Sequence, residues 1–212
     1  MNIKNAVEII RTSTVIAILR KVPFEKAISV SSAVVNGGVS AIEVTMDGAD
    51  AAQIIKELRK EHEGKILIGA GTIMTSEQIH LALNAGADVL FCPHLDVQLL
   101  QEAKRLGTLL IPGVTTPTEV AVAKQAGAEV LKLFPAGSLG PGYLKALLGP
   151  FAGTLFIPTG GISPENAASY LKAGAVAVGM GSALFPKSEV DKGDFAAISN
   201  QIKTVMTSLQ AK

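Results

Sequence analysis

Short apolar runs alternate along the chain with longer stretches whose apolar positions recur every three or four residues. The first pattern marks strands and the second marks amphipathic helices. A glycine stands directly before seven of the short runs: Gly38 before VSAIEVT, Gly64 before KILIGAGT, Gly86 before ADVLFCP, Gly107 before TLLIPG, Gly127 before AEVLKLFP, Gly153 before TLFIPT and Gly174 before AVAVGMG. The steps between them are 20 to 26 residues. Glycine tolerates a left-handed backbone just past a helix, so each is read as a helix end that feeds a strand. An eighth run, TVIAILR at 14–20, precedes them all.

The intervening stretches carry helical stripes. Phe24, Ala27, Ile28, Val34 and Val35 fall on one face, and Ala51, Ile54, Ile55 and Leu58 on another. Thr116-Pro117-Thr118-Glu119 supplies an N-cap, a proline at N1 and a glutamate at N3, and Ser163-Pro164-Glu165 opens a helix in the same manner. The pattern predicts an extra helix before the first strand and a last outer helix over 194–212. Runs such as ILIG and TLLIP have no polar face, as strands buried on both sides require. Strands alternating with helices predict an α/β fold with a parallel sheet. Eight such units close naturally into a (β/α)8 (TIM) barrel, with residues 1–212 as one domain. A doubly wound open sheet is the alternative, but no run is marked as an edge strand.

Composition narrows the function. Hydrophobic residues make up 48% and charged residues 17%, which excludes a disordered chain. So little charge also leads us to expect part of the outer surface under a partner subunit. The formal net charge is +1, with Lys and Arg scattered, so nucleic-acid binding is not expected. One cysteine, Cys92, excludes an internal disulfide and a cysteine-rich zinc site. The first residues lack the parts of a signal peptide, and no apolar run reaches the ~18 residues of a membrane span. A soluble cytoplasmic protein with no membrane association is expected.

In such a fold, chemistry gathers at the carboxyl ends of the strands. Arg20, the pair Glu43 and Thr45, GAGT at 69–72, Cys92-Pro93-His94, PGVTTP, Lys132, TGGI at 159–162 and GMGS at 179–182 fall there. Lys132 stands out because it interrupts VLKLFP, and lysine is seldom buried without a function or a partner. Val130, Lys132 and Phe134 share one strand face. An amine in a dry cavity favours its neutral form, which can condense with a ketone to an imine. Glu43 lies in a like position, sharing a face with Ala41 and Thr45, and could move protons for that chemistry. The alternative is a structural Lys–Glu ion pair, and the two roles are compatible.

Gly160, Gly161, Gly181 and Ser182 follow the seventh and eighth strands, the usual phosphate position in these barrels. His62 and His80 fall in helices and are expected to face solvent. His94 could line the pocket. No convergent metal-ligand set is present, so no metal is expected. Cys92 reads as a small buried filler.

Together, EVT at 43–45, GAGT at 69–72, PG-T-TPTE at 112–119, KLFPAG at 132–137, GPF at 149–151, PTGGI at 158–162 and GS at 181–182 resemble the 2-keto-3-deoxy-6-phosphogluconate (KDPG) aldolase / 4-hydroxy-2-oxoglutarate (KHG) aldolase family, over nearly the whole chain. The resemblance implies a cofactor-free class I aldolase, a carbon–carbon lyase releasing pyruvate from a 2-keto acid. By position it makes Lys132 the Schiff-base lysine and Glu43 the proton shuttle. It sets Thr72 and Pro93 against the pyruvyl group with Phe134 over it, and Gly160, Gly161 and Ser182 on the phosphate; Thr159 and Gly181 are further substrate-binding candidates. It also implies a homotrimer.

One departure stands out. The family often reads EVTLRT, with an arginine for the substrate carboxylate, whereas this chain reads EVTMDG and carries Asp47 there. Arg20 is the expected substitute, and Asp47 is expected to point outward as a helix N-cap. The competing readings are the 6-phosphogalactonate epimer or another 2-keto acid as substrate, a phosphosugar-binding sensor without catalysis, and a phosphate-binding isomerase.

Overall fold

The computed structural model describes residues 2–62 and 64–210. The strands are β1 (Val15–Leu19), β2 (Ala41–Thr45), β3 (Leu67–Gly71), β4 (Val89–Phe91), β5 (Leu109–Ile111), β6 (Gly113–Val114), β7 (Val130–Leu133), β8 (Leu155–Pro158) and β9 (Val178–Met180). Helices α1 (Ile3–Thr12), α2 (Phe24–Asn36), α3 (Ala51–His62), α4 (Ser76–Asn84), α5 (Val97–Arg105), α6 (Pro117–Gln125), α7 (Pro141–Leu148), α8 (Pro164–Lys172), α9 (Lys187–Lys192) and α10 (Phe195–Gln210) accompany them. The alternation predicted from the apolar pattern is present, with the extra N-terminal helix and the last outer helix; Ala211 and Lys212 lie outside the described residues. The seven punctuating glycines all adopt positive φ, from 73° to 107°. Thr116 and Glu119 form the predicted capping box, and Ser163 forms one with Asn166.

Every strand pair is parallel, but the ladder differs from the single eight-strand ring expected. Six strands pair in the order β5-β4-β3-β2-β1-β9, and three in the order β6-β7-β8. The run TLLIPG is divided between the two sheets at Pro112. Proline has no N–H to give a ladder, so pairing breaks there, although its carbonyl still accepts from the Lys132 N–H at 2.9 Å. Between β8 and β9, one isolated bridge, Thr159 to Gly179, replaces a ladder.

The core has two layers. The larger packs the outward faces of the strands against the helices, with Ile54, Ile55 and Leu58 of α3 fully engaged. Phe24, expected on the buried stripe, is exposed at the first position of α2, where the helix has only begun to meet the sheet. The smaller layer joins inward residues of both sheets, including Ile16, Ala41, Leu67, Leu109, Val130 and Ile157, to Ala6, Val7 and Ile10 of α1. Thus α1 covers the ends where the strands begin. The polar inward residues lie further along the strands.

Further along the strands, β6 packs closely against the segment that follows β4. A methyl at Gly113 would overlap the backbone of Pro93 and His94, which cannot rotate away. Gly113→Ala is therefore expected to cost about 2–3 kcal/mol of stability, as overpacking of a rigid site does. A urea midpoint equal to the parent's would refute it.

Candidate active site

Lys132 and Glu43 come together. The Lys132 ammonium donates to Glu43 Oε1 at 3.2 Å, with side chains only 6% and 3% exposed. The pair lies across the inner space from β7 to β2. Its nitrogen is 5.8 Å from the Phe91 ring centre and 5.6 Å from that of Phe134, within cation–π range. The amine thus has one carboxylate, two aromatic rings and little water around it.

Glycines clear the space for this arrangement. A methyl at Gly71 would overlap the Glu43 carboxylate, one at Gly69 would meet the Phe91 ring at 2.6 Å, and one at Gly160 the Phe134 ring at 2.8 Å. A methyl at Gly179 would press on the Thr159 hydroxyl. Gly160 therefore has a packing role that its expected phosphate contact did not anticipate. Gly161, with φ of 77°, lies against Gly137, where no side chain fits. Gly181 follows β9 beside the Ile18 carbonyl, and Ser182 is exposed next to it.

The remaining predicted residues line the carboxyl ends. Thr72 follows β3 in left-handed backbone, φ 57°, a strained conformation for a β-branched residue. Pro93 follows β4 and is half-buried. Thr159 is buried, 5% exposed. Lys21, just past β1, is the other non-glycine residue with positive φ among those described.

Arg20 and Asp47 were expected to act apart, yet they form an ion pair at 2.8 Å. Asp47 is not a helix N-cap; it lies in the turn before α3 and faces Arg20. Burial pushes its carboxyl up, but the Thr45 hydroxyl and the charges of Arg20 and Lys21 outweigh this and hold it below the usual carboxylate range.

Several supports escaped the sequence reading. Both tyrosines of the chain brace the exit of β7 and its neighbour. Tyr143 donates to the Thr115 carbonyl and Tyr170 to the Ala136 carbonyl, each at 2.7 Å. The Thr115 hydroxyl in turn donates to the Phe134 carbonyl at 2.7 Å. Scarcity of tyrosine was the only signal in the sequence.

The histidines divide differently from expectation. His80 is exposed and pairs with Glu102 at 3.0 Å. His62 is buried, because its Nε2 meets the Ser31 hydroxyl at 2.9 Å between α3 and α2, and burial lowers its pKa. His94 is half-buried, with Nδ1 3.2 Å from Cys92 Sγ. Burial pushes the Cys92 thiol up to about 11 despite this neighbour. Cys92 is thus a filler, as expected. Native protein at pH 8 is expected to resist iodoacetamide, with alkylation only after unfolding, since the thiolate is the nucleophile. Mass spectrometry showing rapid native alkylation would contradict that assignment.

Among the described residues, no group of three or more His, Cys, Asp or Glu is arranged to hold a metal ion. No helix among them is long and apolar enough to cross a membrane.

A buried amine facing a carboxylate, near the carboxyl ends of parallel strands with helices packed outside them, marks an α/β protein with a candidate nucleophile beside a candidate proton carrier. The protein-family model for KDPG and KHG aldolase matches residues 6–201. The KHG/KDPG aldolase of Escherichia coli (strain K12) is 34% identical over 196 residues, 92% of each chain. The 2-dehydro-3-deoxy-6-phosphogalactonate aldolase of the same organism is 33% identical over 171 residues, 80% of this chain and 83% of that one. A crystal structure of KDPG aldolase from Legionella pneumophila, with pyruvate captured at low pH as a covalent carbinolamine, superposes with a TM-score of 0.87 at 31% identity, covering 93% of this chain and 96% of the other. The chain belongs to the KDPG and KHG aldolase family, and it is a carbon–carbon lyase.

Proposed function

We propose that this enzyme cleaves 2-keto-3-deoxy-6-phosphogluconate to pyruvate and glyceraldehyde 3-phosphate through an imine on Lys132, and 4-hydroxy-2-oxoglutarate to pyruvate and glyoxylate by the same route. The observation that carries it is the buried contact between the Lys132 amine and the Glu43 carboxylate. The two groups hold one exchangeable proton. Passing it to the carboxylate leaves a neutral amine beside a carboxylic acid, with no change of net charge in the cavity.

The amine adds to the C2 carbonyl, and the acid of Glu43 protonates the departing hydroxyl, so water leaves and an iminium forms. The carboxylate then takes the proton of the C4 hydroxyl. The C3–C4 bond breaks, its electron pair passes to the iminium as an enamine, and the aldehyde departs. Protonation at C3 and hydrolysis free pyruvate and the amine. Thr72, Pro93 and Phe134 enclose the pyruvyl end. Gly160, Gly161, Gly181 and Ser182 receive the phosphate, Thr159 lies in the substrate pocket, and Arg20 receives an acidic group.

We further read residues 1–212 as one domain and the two sheets as one closed barrel. The Thr159–Gly179 bridge and the continuous chain through Pro112 support this. A homotrimer fits the low charge and the exposed Met74, Leu81, Leu106 and Val122, and sedimentation velocity reads its mass directly.

The test of the reaction couples pyruvate release to lactate dehydrogenase with a chelator present, on the gluconate and galactonate epimers and on 4-hydroxy-2-oxoglutarate. Separately, borohydride with pyruvate should fix one added mass on Lys132. Absence of both release and adduct would remove the imine mechanism; an adduct with release from only one substrate would name the preferred one.

A further inference from the structure

The Arg20–Asp47 ion pair joins the end of β1 to the turn after β2, and the two charges act on each other. Arg20 directly follows β1, and Asp47 lies in the turn two residues past the end of β2. Ile18 is the register partner of Glu43, and Arg20 lies two residues beyond Ile18 on β1. Two strand steps are about 6.6 Å, within reach of an extended arginine side chain. Arg20 therefore leaves β1 at the carboxyl end of the sheet, the same end towards which Glu43 lies on β2, with its side chain largely exposed. The strand on the other side of β1 is β9, where Ala17 pairs with Met180, and Gly181 just beyond it lies beside Ile18. Lys21, left-handed at φ 51°, turns the chain immediately after it.

In the free protein that guanidinium is already occupied. Asp47 Oδ2 accepts from Arg20 Nη2 at 2.8 Å, with side chains 23% and 60% exposed. The opposite flank of Asp47 borders a cleft of about 310 Å³, lined also by Lys21, Thr45, Gly48 and Asp50, which leaves its side chain room to withdraw. Arginine binds carboxylate and phosphate with the same planar fork, so Asp47 and a substrate anion compete for one set of donors.

We propose that Asp47 is a specificity-determining residue that acts as an internal competitor. It holds Arg20 in the free enzyme and yields it to an anionic group of the substrate, so that binding exchanges one anion for another. Affinity for small acids is thereby kept low, and substrates that supply further contacts are favoured. The proposal rests on the aldolase reading for its substrates, but its binding test does not need turnover.

The experiment is a double-mutant cycle of Asp47→Asn and Arg20→Ala. Steady-state kinetics are taken on one phosphorylated and one unphosphorylated 2-keto acid, and calorimetric binding on pyruvate and on inorganic phosphate. Asp47→Asn is expected to lower KM by about two- to fivefold, the range set by an exposed ion pair, with the effect falling on KM rather than kcat. The same substitution in the Arg20→Ala background is expected to do nothing. A gain with both substrates and with pyruvate assigns the exchanged anion as the carboxylate. A gain with the phosphorylated substrate and with inorganic phosphate alone assigns it as the phosphate. Unchanged KM and unchanged binding in Asp47→Asn, or an equal gain when Arg20 is absent, would overturn the proposal. If wild-type protein turned over none of the substrates, the aldolase reading would fail by itself, and the calorimetric cycle would still decide the competition.

Discussion

Replacing Lys132 with methionine is expected to reduce kcat by roughly 10⁴-fold or more, since loss of a covalent nucleophile removes the pathway rather than tuning it. The borohydride adduct with pyruvate should vanish in the same variant. The substitution also strands Glu43, which is 2% exposed and has its ammonium partner removed. Breaking a buried pair from one side costs about 3–5 kcal/mol, so a fall in urea midpoint should accompany the loss of activity. Lys132→Met with Glu43→Gln removes both charges, and should recover most of the stability while remaining inactive. That divergence separates the chemical role of the pair from its structural one. If the double variant regained no stability, the stranded Glu43 charge would not be the cause of the single variant's loss. Residual turnover near the parent's rate in the single variant would dismiss the imine.

The second large effect is expected at Gly71, a residue that carries no chemistry. Its absent side chain is the space in which the Glu43 carboxylate rests. Gly71→Ala should displace that carboxylate from Lys132 and lower kcat by about 100-fold, the lower end of what a positioned acid–base group contributes. Because the crowded atoms end a flexible side chain, stability should fall by only about 1–2 kcal/mol. Gly113→Ala makes the control, since there the obstacle is backbone and the loss should appear mainly in stability. A Gly71→Ala enzyme with unaltered kcat would mean that Glu43 is not needed in its present place.

Much of this was legible in one dimension. Lys132 and Glu43 were visible because each is a charge set within an apolar run, and strand periodicity assigns a face to each. What periodicity cannot supply is distance: the two are 89 residues apart, and only the ordering of β2 and β7 in the fold brings them to 3.2 Å. The same gap explains the misreadings. His62 ends a helix with a polar stripe and reads as exposed, yet Ser31 of the neighbouring helix takes its Nε2 and buries it. Asp47 reads as a cap because it precedes a helix, whereas Arg20, 27 residues earlier, claims it. Gly160 was read as backbone for an anion; the clearance it also gives the Phe134 ring had no signal in the sequence.

The sequence by itself determined where the chain turns, which segments are strands and helices, and which charges must be buried. Those follow from forces acting over a few residues: left-handed backbone at glycine, side-chain spacing of 3.6 or 2, and the cost of interrupting an apolar run with a charge. The tertiary structure alone decided that TLLIPG divides at Pro112, that Gly71 makes room for Glu43, and that Arg20 is held by Asp47. Each depends on which strands become neighbours and in what register, and close packing of two distant segments leaves no trace in the local pattern of either.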